Sequence, residues 1–246
     1  MLWSMSSIGK RDPMAKSKKK QPVELDKDQL SEFAYLPTEV EGFKTEKPFC
    51  SSNYKQMKGL LMQRVSPSRY VHSLSVAKTA RKLARAYGVD EDQARMAGLL
   101  HDWDKALSPK RLACRVQDFS LPIAPETVQD MPWVLHGSTA AAVLGKEFPF
   151  LGEGVLQAID RHTVGSPDMA PLDMIVFVAD KIEPTHDVPE YKRLYKQIGV
   201  MGLEDMFCAV LKEGMAHLVK TNRPISYDTV LVWNRYCNSC PKGKGE

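Results

Sequence analysis

No apolar run in this chain approaches the roughly 18 to 20 residues that a bilayer-spanning helix needs. The opening MLWSMSSIGKR also lacks a basic segment followed by an apolar one, so no signal peptide and no membrane partner are expected, and the implied location is cytoplasmic. Cysteine is scarce and unpatterned: the five, at 50, 114, 208, 237 and 240, are odd in number and scattered, which suits a reducing compartment better than a disulfide framework. Cys237 and Cys240 form a lone CNSC. A zinc site would want a second pair and a redox motif a strand before it, so this pair reads as incidental. Alternation with period two is missing over any useful length, and no internal repeat is visible. The formal net charge is only +4, and much of it sits in KRDPMAKSKKK near the start. A nucleic-acid partner would need clustered base on the fold itself and is not expected.

What is there is material for one sizeable core: 246 residues, 43% hydrophobic and 26% charged. Residues 1–27 are rich in Lys, Ser and Met without periodicity, and are expected to be a disordered basic tail in which Met14 offers an alternative start. Residues 28–60 carry weak helical patterning broken by Pro37 and Pro48, a lead-in expected to pack on the main domain. That domain is assigned to 61–236, with 237–246 as a flexible end.

From Ser66 the signals sharpen. Ser66 can cap a helix with Pro67 in its first turn, and Tyr70, Leu74, Ala77, Ala84 and Tyr87 then recur at helical spacing up to Gly88. A second helix is expected from Asp90, with Gln93 completing a capping box, through Leu99, Leu100, Trp103 and Leu107 to a stop near Pro109. A looser stretch, RVQDFSLPIAPETVQDMP, precedes a helix from His136; EGVLQAIDRH and PLDMIVFVADKIEP follow. Two more helices are expected over 189–220 and 226–236, parted by NRP. The fold class is therefore all-α, a compact helical bundle.

Histidine is the other scarcity, six in all, and four of the six fall near helix ends or on apolar faces of this central region. His72 shares a stripe with Val76, Thr79 and Leu83; His101 and Asp102 follow AGLL; His136 opens HGSTAAAVLG with Gly137 leaving space beside it; His162 closes a helix below Val155, Ala158 and Ile159; Asp180 ends MIVFVAD. Singly, each histidine could be a hydrogen-bonded core residue and Asp180 a satisfied helix-end carboxylate. Together, several buried imidazoles and two carboxylates are costly unless something compensates the charge, and a divalent cation does so directly. Ion pairs are a weaker explanation, because the nearby basic residues sit mostly on polar faces. His101 and Asp102 are neighbours that diverge by about 100° on a helix. The histidine can then hold one metal while the carboxylate leans away and bridges to a second.

The order His72, His101–Asp102, His136, His162, Asp180 resembles the H…HD…H…H…D pattern of the HD-domain metal-dependent phosphohydrolases. The words RYVHSLSVAKTA, AGLLHDWDK, LHGSTAA, RHTVG and IVFVADKIEP look like the YqeK subfamily, bacterial symmetrical diadenosine tetraphosphate hydrolases, over roughly residues 60–236. The resemblance implies an HD-domain bundle with a di-iron site and a dinucleoside polyphosphate substrate. His72, His101, Asp102 and Asp180 would hold one metal, and Asp102, His136 and His162 the other. It also implies symmetrical cleavage to two ADP. Two close cations acidify a bridging water, so that a hydroxide can attack a central phosphorus in line.

Around that site, Asp102, Lys105 and Asp104 are the candidate catalytic residues. Lys105 lies one turn after His101 and is expected to contact phosphate. Asp104 could orient water or Lys105, or be plain helix surface. Arg161 is a second phosphate candidate, with a surface role as the other reading. His186, in IEPTHD, stands where relatives commonly carry an arginine, and an imidazole grips phosphate less well than a guanidinium. Its place near the substrate leaves room for a different nucleotide. The competing readings are an HD phosphohydrolase for another nucleotide, a metal- or nucleotide-binding regulatory module without turnover, and a helical scaffold acting through its basic tail. Iron, manganese and cobalt all accept imidazole and carboxylate, and the sequence leaves both that choice and the oligomeric state open.

Overall fold

The computed structural model describes residues 42–236. The expected tail over 1–27 and the CNSC pair at 237–240 lie outside the described residues. Within them the chain runs through eleven α-helices: α1 Ser51–Arg64, α2 Pro67–Tyr87, α3 Glu91–Leu100, α4 Pro109–Asp118, α5 Pro125–Asp130, α6 His136–Glu147, α7 Gly152–Arg161, α8 Pro171–Ile182, α9 Pro189–Tyr195, α10 Leu203–Lys220 and α11 Tyr227–Tyr236. The all-α expectation holds over the described residues, where the nearest thing to a sheet is one isolated bridge between Ile198 and Met201. No described helix is long and apolar enough to cross a membrane.

Local chemistry sets the longest element. The Ser66 hydroxyl accepts from the Arg69 amide at 3.3 Å, Pro67 opens α2, and Gly88, at φ +71°, ends it in the left-handed region. The side chain of Asp90 accepts from the amides of Asp92 and Gln93 at 2.9 and 2.8 Å and starts α3. Helix α2 packs along α3, and Gly98 allows it: a Cβ there would stand 3.0 Å from the Ala77 backbone. This approach brings His72 on α2 to the end of α3, where His101 follows. Helix α8, apolar around nearly its whole circumference, runs through the middle against α2, α7 and α10, as a helix without a polar face must.

Four expectations change here. The helix from Asp90 does not reach Leu107; it ends at Leu100 and the chain continues as overlapping tight turns, with Trp103 N–H donating to Leu100 O, Lys105 to Asp102 O and Leu107 to Asp104 O, each at 3.0 Å. His101, Asp102, Trp103 and Asp104 are all buried. A straight helix would turn one of four successive side chains outward, whereas the tightened turns send them to two interior sites. Pro109 is not a stop but the first residue of α4, capped by Ser108. The span 189–220 is two helices, because Gly199 takes φ +81° and Gly202 precedes α10. The boundary drawn at 60 falls inside α1, whose Tyr54, Met57 and Leu61 join the main core and contribute roughly 1.5–3 kcal/mol for each large apolar side chain buried.

Candidate metal centre

The four histidines converge. Their Nδ1 atoms all point outward to acceptors: His101 to Gly98 O at 2.9 Å, His136 to Trp133 O at 2.9 Å, His162 to Ile159 O at 2.6 Å, and His72 to Glu183 Oε1 at 3.0 Å. A backbone carbonyl only accepts, so Nδ1 carries the proton in these rings and Nε2 is left with its lone pair, the tautomer that binds metals.

Asp102 lies between two groups of those nitrogens. Its Oδ2 is 3.4 Å from His101 Nε2 and 3.9 Å from His72 Nε2, while Oδ1 is 3.1 Å from His136 Nε2 and 3.8 Å from His162 Nε2. Asp180 Oδ1 stands on the first side, 3.0 Å from His72 Nε2 and 3.4 Å from His101 Nε2. Asp102 thus stands between the two groups of nitrogens, with one oxygen toward each.

The donor set fits a cation. His101 Nε2 is buried and makes no hydrogen bond. His136 Nε2 and His162 Nε2 face each other at 3.0 Å, and two lone pairs at that distance repel unless positive charge lies between them. His72, His101 and Asp180, and likewise His101, Asp102 and His162, each offer ligand atoms within 4.8 Å of one another. Electrostatics agree. In the cation-free ring a second proton takes the cation's place: burial alone would depress the His101 imidazolium, but Asp102 and Asp180 lift it to about 10. Burial and the neighbouring His101 and His136 push His162 well below the usual range. Asp102 is held well below the ordinary carboxylate range because His101 and His136 outweigh its burial. Asp180 is likewise low, through Lys181 and His101 against burial. The pocket is built to hold positive charge against two ionised carboxylates.

Several neighbours are not where the sequence reading put them. Asp104 is fully buried and turned to two arginines rather than to Lys105: its oxygens bind Arg64 at 3.2 Å and Arg115 at 2.5 Å. Arg64 also lies over the Trp103 ring, 4.4 Å from its centroid, so the cluster ties α1 and α4 to the turns carrying His101 and Asp102. Arg161 is turned from the centre toward Asp173 at 3.0 Å and Asp168 at 3.2 Å, which removes it as a phosphate contact. The expectation that basic residues sit mostly on polar faces also fails. Arg69 Nη1 reaches Asp102 Oδ2 at 2.9 Å and Lys181 Nζ reaches Asp180 Oδ2 at 2.5 Å. Lys105 does lie at the centre, its Nζ 3.3 Å from His136 Nε2 and 3.9 Å from Asp102 Oδ1. His186 stacks on His72 with ring centroids 5.4 Å apart and donates from Nδ1 to Lys181 O at 2.9 Å.

Glu183 went unread in the sequence. It is buried, its carboxylate receives the His72 Nδ1 proton and bonds from the amide and hydroxyl of Thr185, and these bonds hold it at about 2 against the upward push of burial. Only its place as the glutamate of the IEP word, three residues after Asp180, could have marked it. Arg69 had a better signal, since it precedes His72 by three residues and so shares its helix face.

The HD domain family matches residues 69–185. A protein named symmetrical bis(5'-nucleosyl)-tetraphosphatase in Bacillus subtilis is 28% identical over 182 residues, covering 74% of this chain and 96% of the relative. One of the same name in Halalkalibacterium halodurans is 31% identical over 186 residues, covering 72% and 96%. A crystal structure from Clostridium acetobutylicum, described as a "predicted HD superfamily hydrolase involved in NAD metabolism", superposes with a TM-score of 0.70 at 27% identity over 75% of this chain and 97% of that one. Every residue gathered around Asp102 lies in the matched span, and the relatives align over nearly their whole length: the chain belongs to the HD-domain phosphohydrolases, in the family of the symmetrical bis(5'-nucleosyl)-tetraphosphatases.

Proposed function

We propose that this enzyme hydrolyses diadenosine tetraphosphate symmetrically to two ADP, using two divalent cations. The observation that carries the reading is the division of Asp102, with one oxygen toward His72 and His101, which Asp180 also meets, and the other toward His136 and His162. Those two sets would be the ligands of the two cations, with iron as the leading candidate and manganese or cobalt as alternatives. When bound, such a pair neutralises phosphate charge and acidifies water between the metals.

The chain's own residues do the rest. Asp102 holds the two ligand groups in register. Glu183 fixes the His72 ring by taking its Nδ1 proton. Arg69, Lys105 and Lys181 rest on the carboxylates of Asp102 and Asp180. These three cationic side chains, grouped beside the candidate ligands, would be the ones to grip the tetraphosphate. His186, at the rim beside His72, offers an imidazole to the same polyanion. The cationic rim of Arg69, Lys105 and Lys181 would hold the chain of phosphates beside the ligand residues.

The test is elemental analysis of anaerobically purified protein together with chromatography of the products. About two metals per chain and ADP as sole nucleotide product support the reading. AMP plus ATP, or full turnover by Asp102→Ala, would sink it.

A further inference from the structure

Behind the metal centre, on the far side of α6 and α7, lies a cavity of about 530 Å³, within the range of small-molecule sites. Ser138 and Asp160 line it, each two residues from a ligand histidine, His136 and His162. Two residues turn an α-helix by about 200°, so the helices that carry the histidines inward present these two side chains to the cavity. One wall is apolar, with Leu121 and Ile123 from the loop after α4 and Leu156 from α7. Leu121 and Ile123 pack on a small separate cluster around Leu112, Val116 and Leu135 rather than on the main core, so the cavity is the seam between two packing units. The other wall is acidic. The Asp160 carboxylate is half-buried, with the Ser138 hydroxyl as its hydrogen-bond partner, and Asp228 stands exposed at the rim on α11. Arg161, the base among the lining residues, is committed to Asp173 and Asp168, which leaves the two carboxylates without an ion-pair partner among the described residues.

A half-buried carboxylate costs free energy until an opposite charge meets it. With one at the floor, a second at the rim and an apolar wall facing them, the cavity suits an organic cation with an apolar body. We propose that it binds an aliphatic amine as an effector, and that its occupancy is coupled to the metal centre through Asp160. The coupling has a mechanical basis. A Cβ on Gly137 would stand 2.8 Å from Asp160 O, so α6 and α7 meet backbone to backbone between the two histidines and the cavity. An ammonium that draws Asp160 from Ser138 moves this contact, and with it the spacing of His136 and His162, whose Nε2 atoms stand 3.0 Å apart. Only the coupling rests on the two-cation reading; the amine seat stands on the cavity alone.

Calorimetry would compare hexylamine, hexanol and hexanoate, ligands of equal length that differ in charge, on the metal-loaded parent, Asp160→Asn and Asp228→Asn. The expected result is hexylamine bound by the parent about 10-fold or more tighter than hexanol, the scale of a hydrogen bond to a charged group, with hexanoate not bound. Asp160→Asn keeps the shape and an acceptor for Ser138 and should remove that preference, while Asp228→Asn should reduce it by less. Hexylamine bound no better than hexanol, or a preference that survives Asp160→Asn, would overturn the seat. Coupling between sites is reciprocal, so the Asp160-dependent amine affinity of metal-loaded and chelator-treated parent should differ by about 5-fold or more. Equal affinities in protein shown to carry metal would overturn the coupling. Amine binding that Asp160→Asn abolishes, in a parent that holds no metal and leaves diadenosine tetraphosphate intact, would keep the seat and remove the proposed reaction instead.

Discussion

Glu183 Oε1 lies 3.0 Å from Nδ1 of His72, and the same ring's Nε2 lies 3.0 Å from Asp180 Oδ1. A buried carboxylate that takes the outer proton of a ligand histidine sets its tautomer and raises its basicity. Replacement of Glu183 by Gln keeps an acceptor but loses the charge, whereas Ala loses both. Metal affinity is expected to fall by about 10- to 100-fold in Glu183→Ala and by less in Glu183→Gln. Competition with a coloured chelator would measure both, and equal affinities across the three proteins would remove Glu183 from the site.

Asp104 makes a different prediction, about stability first. Its removal leaves Arg64 and Arg115 side by side in the interior with their shared counter-charge gone, although each is almost wholly buried. Breaking a buried pair from one side costs about 3–5 kcal/mol. For a domain of this size that is a fall of roughly 6–20 °C in Tm, readable by calorimetry of Asp104→Ala. A change below about 1 °C would show that the arginines re-pair.

Gly137 carries a steric prediction. A Cβ there would meet Asp160 O at 2.8 Å, Ile159 O at 3.0 Å and His162 Cε1 at 3.2 Å. Two of these are backbone atoms and cannot rotate away. Gly137→Ala is expected to push α6 from α7, to cost about 1–3 kcal/mol, and to weaken metal retention by moving His136 against His162. Full metal content with unchanged Tm would contradict this.

Chelation should destabilise the folded protein. A cation bound by His72, His101, Asp102, His136, His162 and Asp180 in the native state alone adds about 2.7 kcal/mol at a hundredfold excess over Kd. Thermal unfolding with and without chelator would show Tm rising with metal concentration, and an unchanged Tm would refute binding at this cluster.

The pH dependence can be worked from Glu91, which bonds Arg85 and also Arg81 and is lowered to about 2. Because the folded value lies below the unfolded one near 4.5, the stabilisation is present above pH 4.5 and is lost as pH falls toward 2. The Tm gap between the parent and Glu91→Gln, both in chelator, should therefore narrow from pH 6 to pH 3. A gap constant with pH would assign the difference to something other than charge.

The convergence of the four histidines with Asp102 and Asp180 was legible because each stands at a helix end or on an apolar stripe, where an imidazole or carboxylate is out of place without a partner. His101 and Asp102 diverge as the spacing implies, although the turns that carry them are tighter than the helix the apolar pattern suggested. Asp104 was misread for that reason: on a continuous helix it would share a face with Lys105's surroundings, while the tightened turns aim it at α1. Contacts such as Arg64 with Asp104, Arg69 with Asp102 or Glu183 with His72 join residues 33 to 111 positions apart. No local periodicity encodes such pairings. The split at Gly199 was visible as a residue but was outvoted by the apolar spacing on both sides.

Arg64 belongs to α1, ahead of the segment that carries the family's signature, yet it caps the face of Trp103 and closes the charge of Asp104. As an exchangeable part, the enzyme is therefore longer than the stretch by which it is known. A graft cut at 69 and 185 would take Asp104 and Arg115 along without their third member, and a lead helix borrowed from another protein would be accepted only if it brought a guanidinium to that one position.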